Sequence, residues 1–178
     1  YINIFLVSYF HYTNEKDLKN YHFIIEELEK NKPNFLFLGG DILDSATVSD
    51  EDLLLREIEK WAKETVVIIG IGNHDITIVK NKKTLYYKNE SFWNKLKKIK
   101  NVVILDDDCY EEKEFRIIGI TVPYSSYYKN KNITEFLEEH IKKYDNQKMN
   151  LLLIHSANFL YSEKSDILLQ NIDFVLSG

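Results

Sequence analysis

Histidine, aspartate and asparagine residues follow several apolar segments of this sequence, at the point where each segment ends. These residues are His11, Asp41, Asp44, Asn73, His74, Asp75 and His155. Imidazole, carboxylate and amide ligands together favour Mn, Fe or Zn ions over copper or iron–sulfur clusters. One carboxylate can bridge two such ions about 3.5–4 Å apart, and the pair acidifies a shared water and neutralises phosphoryl charge. The residue types therefore predict a divalent metal site suited to hydrolysis.

Each of these groups also has a simpler interpretation. Asp41 and Asp44 follow two glycines, and taken alone they suit an ordinary loop with a helix cap. Residues 72–75 suit a turn, because Asn and Gly tolerate positive φ, although a turn does not require the His and Asp that come next. His11 or His155 taken alone is more typical of a structural histidine. The histidines predicted inside helices, with structural or surface roles, are His22 and His140.

Alternating strand-like and helix-like segments bring these residues to one edge of a sheet. Continuous apolar runs predict strands at residues 2–7, 35–38, 66–69, 102–105, 115–120, 151–154 and 174–176. Helical spacing of apolar residues predicts helices between them, one of them near 167–169. The predicted helix caps are Asn14 with Asp17, Ser49 with Asp52, and Asn132 with Glu135. This pattern predicts an α/β fold with a largely parallel sheet at its start, in which ligands bind at the carboxyl ends of the strands.

Composition narrows the function classes. The chain has 178 residues, which suits one domain, and its net charge of -5 argues against a nucleic-acid binder. Its single cysteine, Cys109, excludes an internal disulfide and fits a reducing compartment, so we expect a cytoplasmic protein. No apolar run approaches the roughly 18 residues that a transmembrane helix needs, and no signal peptide is visible. We therefore expect no integral membrane segment.

Three motifs follow strands in a fixed order along the chain: Gly40-Asp41-x-x-Asp44, Gly72-Asn73-His74-Asp75, and His155. In type and order they resemble the calcineurin-like metallophosphoesterases. The resemblance covers residues 1–178 and implies a single metallophosphoesterase domain with a four-layer α/β/β/α sandwich, of which the parallel-sheet pattern describes only the first half. It implies hydrolysis of a phosphomonoester, phosphodiester or pyrophosphate in a small-molecule substrate. The hydroxide for this reaction would be activated by two divalent metal ions of the Mn, Fe or Zn type.

The resemblance also implies which residues hold the metals. Asp41 would bridge the two ions, Asn73 and His155 would complete the second site, and His11 would help to hold the first. The family has an aspartate at the position of Tyr9. Tyrosine is a poor metal ligand unless it is ionised, and its free pKa is about 10. We therefore expect Tyr9 to weaken the first metal site.

Further roles follow from the same resemblance. His74 would not bind metal but would stabilise the transition state or protonate the leaving oxygen, with Asp75 orienting its ring and Asp44 in a supporting position. Substrate specificity would come from loops at residues 77–89 and 123–130. The second loop is rich in tyrosine, which suits either stacking on a base or sugar, or packing of the loop onto the domain. Its tyrosines are Tyr124, Tyr127 and Tyr128.

The carboxyl terminus departs from the family pattern. The family ends its site with Gly-His-x-His, whereas this sequence stops at Gly178. We therefore expect the C-terminal strands to be missing and the chain to be truncated there, which together with Tyr9 would impair catalysis. Tyr9 also motivates an alternative, a non-catalytic protein-interaction scaffold on the same fold. The sequence indicates no particular protein partner.

Overall fold

The strands of this chain form two four-stranded sheets and a small hairpin. In a computed structural model, residues 1–8, 10–44, 50–78, 85–87, 89–129, 133–161 and 168–178 are described. The strands are β1 Ile4–Val7, β2 Phe35–Leu38, β3 Val66–Ile69, β4 Ile76–Ile78, β5 Leu85–Tyr87, β6 Val102–Ile104, β7 Cys109–Glu111, β8 Phe115–Ile120, β9 Met149–Ile154 and β10 Phe174–Ser177. The hairpin consists of β4 and β5.

The first sheet has the order β1-β2-β3-β6 and is parallel throughout. Its register places Val7 beside Leu38, and Leu38 beside Ile69. Every residue of β2 is buried, which explains why its sequence is continuously apolar rather than alternating. The parallel register brings the ends of β1, β2 and β3 to the same edge.

The second sheet has the order β10-β9-β8-β7. Its first three strands are parallel, and β7 joins β8 in an antiparallel hairpin. Ser177 lies beside Ile154, and Ile154 lies beside Ile120, so the carboxyl ends of β8, β9 and β10 also coincide. The chain thus forms a second edge at which polar residues can collect.

Helices cover the outer faces of the two sheets. Along the chain they are α1 Glu15–Leu18, α2 His22–Asn31, α3 Glu51–Glu64, α4 Glu90–Leu96, α5 Tyr124–Lys129 and α6 Thr134–Ile141, with short 3-10 turns at Lys19–Tyr21 and Ala157–Leu160. On β2, Leu36 and Leu38 pack with the first four helices, whereas Phe35 and Phe37 pack against the second sheet. Leu137 of α6 packs on the other face of the second sheet. These layers make the α/β/β/α sandwich that the sequence predicted.

The predicted main strands and the first helix cap are confirmed. Asn14 caps α1: its side chain accepts from the N–H of Lys16, and the carboxylate of Asp17 accepts from the N–H of Asn14 at 3.1 Å. The other two predicted caps involve Ser49 and Asn132, which lie outside the described residues. The helix predicted near 167–169 lies partly outside them.

Several short elements were not predicted. They are β4, β5, β7 and α5, and the loops predicted at 77–89 and 123–130 contain three of them. Three-residue strands carry too little periodicity to be recognised alone, and pairing with a neighbouring strand defines them here. Within the described part of the chain, no helix has the length and apolar character that crossing a bilayer requires.

Candidate metal centre

Backbone hydrogen bonds join the loops that follow β1 and β2. The N–H of His11 donates to the carbonyl of Asp41 at 2.8 Å, and the N–H of Tyr12 donates to the carbonyl of Ile42 at 2.9 Å. The N–H of Asp44 donates in return to the carbonyl of Tyr12 at 3.0 Å. His11 and Asp41 therefore lie side by side, although 30 residues of sequence separate them.

Asp41 lies at the centre of the site and is almost completely buried. Its Oδ2 is 3.0 Å from Nε2 of His155 and 3.6 Å from Nε2 of His11. Its Oδ1 accepts the N–H of His74 at 2.8 Å. His155 comes from β9, so this one carboxylate contacts residues from both sheets.

The ionisation of Asp41 and His155 is coupled through their contact. Burial opposes the charged form of Asp41, but the hydrogen bond with His155 and the N–H of His74 outweigh burial, and the pKa of Asp41 is lowered. Burial likewise disfavours the charged form of His155, but the hydrogen bond to Asp41 prevails and raises the pKa of His155. The pair is therefore arranged to keep a carboxylate in a buried position.

Glycines allow the loops to approach this closely. Gly40 has a φ of +97°, and a Cβ there would lie 2.8 Å from the nitrogen of Gly72 and 2.9 Å from Nδ1 of His155. A Cβ on Gly72 would overlap Oδ1 and the backbone nitrogen of Asp41. The glycine that begins each of these two motifs is therefore required by the close packing of Asp41 against the neighbouring loop.

Asp75 is fully buried and bonds to backbone rather than to a ring. Its Oδ1 accepts the N–H groups of Ile42 and Leu43 at 2.9 and 3.2 Å, and its Oδ2 accepts the N–H of Gly72 at 2.9 Å. Burial raises the pKa of Asp75 to about 7, although these donors favour its charged form. The carboxylate ties the loop after β2 to the loop after β3. The expectation that Asp75 orients the ring of His74 is therefore corrected, because both of its oxygens bond to backbone N–H groups.

Asp44 makes the contact that was expected of Asp75. Nδ1 of His74 lies 2.9 Å from the carbonyl oxygen of Asp44 and 3.5 Å from its Oδ1. The same Oδ1 is 3.1 Å from Nδ1 of His11. The two rings meet edge to face, with centroids 4.9 Å apart. Asp44 therefore holds both imidazoles.

Hydrogen bonds at Nδ1 orient the three histidine rings of this site. A carbonyl oxygen can only accept, so Nδ1 of His155, 2.9 Å from the carbonyl of Gly39, carries a hydrogen, as does Nδ1 of His74. Nδ1 of His11 faces the carboxylate of Asp44 in the same way. Nε2 is the nitrogen of His11 and His155 that is directed towards Asp41. His155 donates from both ring nitrogens, to the carbonyl of Gly39 and to the carboxylate of Asp41, and a metal ion would take the place of the proton on Nε2.

The donor set fits a divalent ion. Ligand atoms of His11, Asp41 and His74 all lie within 4.8 Å of one another. Imidazole nitrogen with a carboxylate oxygen suits Zn, Fe or Mn. This grouping includes His74, to which the resemblance gave no metal. The buried Asp41, with histidines around it, is thus a plausible ligand by both position and chemistry.

Other predicted residues lie at or near this centre. Asn73 is half-buried in the turn between Gly72 and His74, and Tyr9 lies outside the described residues. The predicted structural histidines, His22 and His140, lie in α2 and α6 as expected.

The tyrosines of α5 pack onto the domain. Tyr124 packs against the hydrophobic core between the first sheet and its helices. Tyr127 packs against the hydrophobic core between the second sheet and α6. The ring of Tyr127 meets Phe159 edge to face at 5.0 Å and has its centroid 6.3 Å from that of His155. The packing interpretation thus describes both tyrosines, and the side chain of Tyr128 lies outside the described part. The sequence named Tyr127 as a loop tyrosine but did not predict its position beside His155, since that proximity arises only from folding.

Comparison with known proteins agrees with this site. The family model for calcineurin-like phosphoesterases matches residues 7–178, and the chain belongs to this family. A protein of Helicobacter pylori (strain J99 / ATCC 700824), described as an uncharacterized metallophosphoesterase, is 25% identical over 167 residues. The matched region covers 92% of this chain and 40% of that relative, so the chain spans well under half of the relative's length. Family membership indicates metal-dependent phosphoester hydrolysis as the class of chemistry.

Proposed function

We propose that residues 1–178 are one metallophosphoesterase domain that hydrolyses phosphomonoester, phosphodiester or pyrophosphate bonds in small molecules. The observation that carries this proposal is the position of Asp41. One oxygen of its buried carboxylate, Oδ2, lies 3.0 Å from Nε2 of His155 and 3.6 Å from Nε2 of His11. That arrangement suits a carboxylate shared between two divalent ions, preferably Mn, Fe or Zn.

Each of the two ions would have its own ligands in addition to the shared Asp41. His11 with Asp41 would hold the first ion, and Asn73 and His155 with Asp41 would hold the second. A bound pair of divalent ions supplies Lewis acidity, which lowers the pKa of a water and neutralises phosphoryl charge. The hydrogen bonds that Nδ1 of His155 donates to the carbonyl of Gly39, and Nδ1 of His11 to the carboxylate of Asp44, fix the ring orientations before any ion binds.

His74 is the proposed general acid or transition-state stabiliser. Asp44 holds its Nδ1 through both a backbone carbonyl and a carboxylate oxygen. The ring is partly exposed, so its Nε2 end can reach a substrate oxygen. In the protonated ring, this nitrogen would donate to the leaving oxygen. Asp75 acts one step further away, by fixing the loop that carries His74.

The activity assay uses the full-length protein with bis-p-nitrophenyl phosphate, p-nitrophenyl phosphate and a pyrophosphate substrate. We expect turnover that requires added Mn²⁺, disappears with a chelator and returns when the metal is restored. His74→Asn should lower kcat more than it lowers metal content, because His74 is assigned to substrate rather than to metal. Absence of metal-dependent turnover on every substrate would refute the enzymatic proposal.

The alternative is a protein-interaction scaffold on the same fold. Its motivation is Tyr9, where the family carries an aspartate ligand. Tyr9→Asp discriminates between the two functions: we expect it to raise both the metal content by plasma mass spectrometry and the phosphoesterase rate. If the Tyr9 protein already binds two metals per chain and turns over equally fast, Tyr9 does not weaken the site. A protein that neither binds metal nor gains it on Tyr9→Asp would favour the scaffold.

A further inference from the structure

The first sheet has an open edge formed by β6. This strand is the last in its sheet and pairs only with β3 among the described strands. Val102, Val103 and Ile104 are all partly exposed. Together with Lys97, Asp106 and Asp108 they line a groove of about 400 Å³. An apolar strand at a sheet edge is a template for pairing with another strand.

The backbone of β6 is oriented for such pairing. The N–H of Leu105 bonds to the carbonyl of Ile69, and the carbonyl of Asn101 accepts the N–H of Val67, both at 2.9 Å. Backbone groups of alternate residues point to opposite sides of a strand, so Ile104 directs its N–H and carbonyl to the open edge. The strand is short, but it contains no proline or charged residue, two of the features that natural proteins use to block an edge.

The charges around β6 differ in sign at its two ends. Three exposed lysines, Lys97, Lys98 and Lys100, precede the strand, and two exposed aspartates, Asp106 and Asp108, follow it. Antiparallel pairing about a two-fold axis places the amino end of one strand beside the carboxyl end of the other. Lysines of each copy would then face aspartates of the other copy, and the two-fold axis would repeat this contact at both ends of the paired strands. A copy paired in the parallel direction would meet like charge at both ends, and a strand of uniform charge would meet like charge at one end.

We propose that β6 is the interface of a homodimer in which two copies pair antiparallel about Ile104, so that Lys100 of one copy lies opposite Asp108 of the other. The first sheet then continues from one subunit into the other. The side chains at the edge become buried, and the two ends of each strand are held by opposite charges. This interface lies outside the metal centre and stands independently of the proposed function.

Sedimentation velocity over a series of protein concentrations tests the interface. We expect a reversible monomer–dimer equilibrium that weakens with added salt. Lys100→Glu alone and Asp108→Lys alone should each raise the dimer dissociation constant by about tenfold or more, because each places like charges together twice. An equimolar mixture of these two variants should regain the affinity of the native chain, since every facing pair is then of opposite sign.

Ile104→Pro removes the outward N–H without removing a bond to β3, and it should abolish the dimer. Circular dichroism establishes that each variant is folded, and the charge-reversal mixture tests the interface even if Ile104→Pro does not fold. Val175→Lys, at the exposed edge strand β10, is the matched control and should leave the dimer intact. A monomer at every concentration, a mixture that does not recover, or a dimer lost only in Val175→Lys would overturn the proposal.

Discussion

The two halves of the metal centre are built in different ways. In the inner half, the side chains of Asp41 and His155 are 4% and 11% exposed, and Asp75 is fully buried. In the outer half, those of His11, Asp44 and His74 are 32%, 42% and 37% exposed. The inner half is fixed by backbone N–H groups and by glycines that allow close contact. The outer half depends on one carboxylate that two imidazoles share.

We propose that this difference separates the residues that build the candidate site from those that take part in the reaction. Changes in the inner half should affect stability and metal binding together, because the same bonds hold the loops and the ligand. Changes in the outer half should affect rate with little loss of stability, since half-exposed side chains contribute little to the core. The four predictions below test that separation.

Asp41→Asn should have the largest effect. It removes the negative charge proposed to be shared by both metals, so we expect metal content to fall sharply and kcat to fall about 10³-fold or more. Plasma mass spectrometry and steady-state kinetics measure the two quantities. Asp52→Asn, an exposed change on α3, is the matched control and should be neutral. Retention of both metals in Asp41→Asn would contradict the central role of this carboxylate.

Gly72→Ala should disrupt the inner half through its packing. The added Cβ overlaps Asp41, so we expect a loss of about 2–3 kcal/mol in the free energy of unfolding and weaker metal binding. Gly70→Ala is the control, because the nearest atoms to its Cβ would be side-chain atoms of Leu153 at 3.2 Å, which can shift, and the carbonyl oxygen of Leu38 at 3.6 Å is in ordinary contact. Urea unfolding without metal gives the comparison. Equal losses in the two variants would show that the contact with Asp41 is not what constrains Gly72.

Asp75→Asn should lower the free energy of unfolding by about 1–3 kcal/mol. The amide offers one acceptor oxygen where the carboxylate offered two, and its NH₂ group would face a backbone N–H. Chemical denaturation in the absence of metal isolates this effect from metal binding. If stability is unchanged while kcat falls, Asp75 acts in the chemistry and the outer half extends to it.

Asp44→Asn should give the smallest effect on the fold and a defined effect on rate. We expect kcat to fall about 10–100-fold because both rings lose their charged partner, with KM and melting temperature nearly unchanged. Nitrogen NMR of the histidine rings would report the change in hydrogen bonding at Nδ1. A melting temperature lowered as far as in Asp75→Asn would remove the distinction between the two halves.

Much of the architecture could be predicted because burial leaves a direct record in sequence. The continuous apolar runs of β2 and β9 identify strands covered on both faces, and the capping residues of α1 mark its first turn. The candidate site could be proposed from the sequence because several strand ends carry His, Asp or Asn, although each group taken alone also has a simpler interpretation. The hairpin strands β4, β5 and β7 were missed because pairing, not periodicity, defines them.

The sequence by itself determined where the proposed site residues stand: Asp41, Asn73, His74 and His155 lie in motifs that follow strands. Only the tertiary structure decided which side chain holds which. Asp44 and Asp75 are both aspartates near His74, and chain proximity favours Asp75 as the partner of the ring. In the structure the ring of His74 contacts Asp44, and Asp75 bonds to backbone, because the loop after β2 supplies N–H donors to one oxygen of Asp75 and Gly72 supplies a donor to the other. Contacts between loops depend on sheet packing, and neighbouring residues in the chain carry no record of that packing.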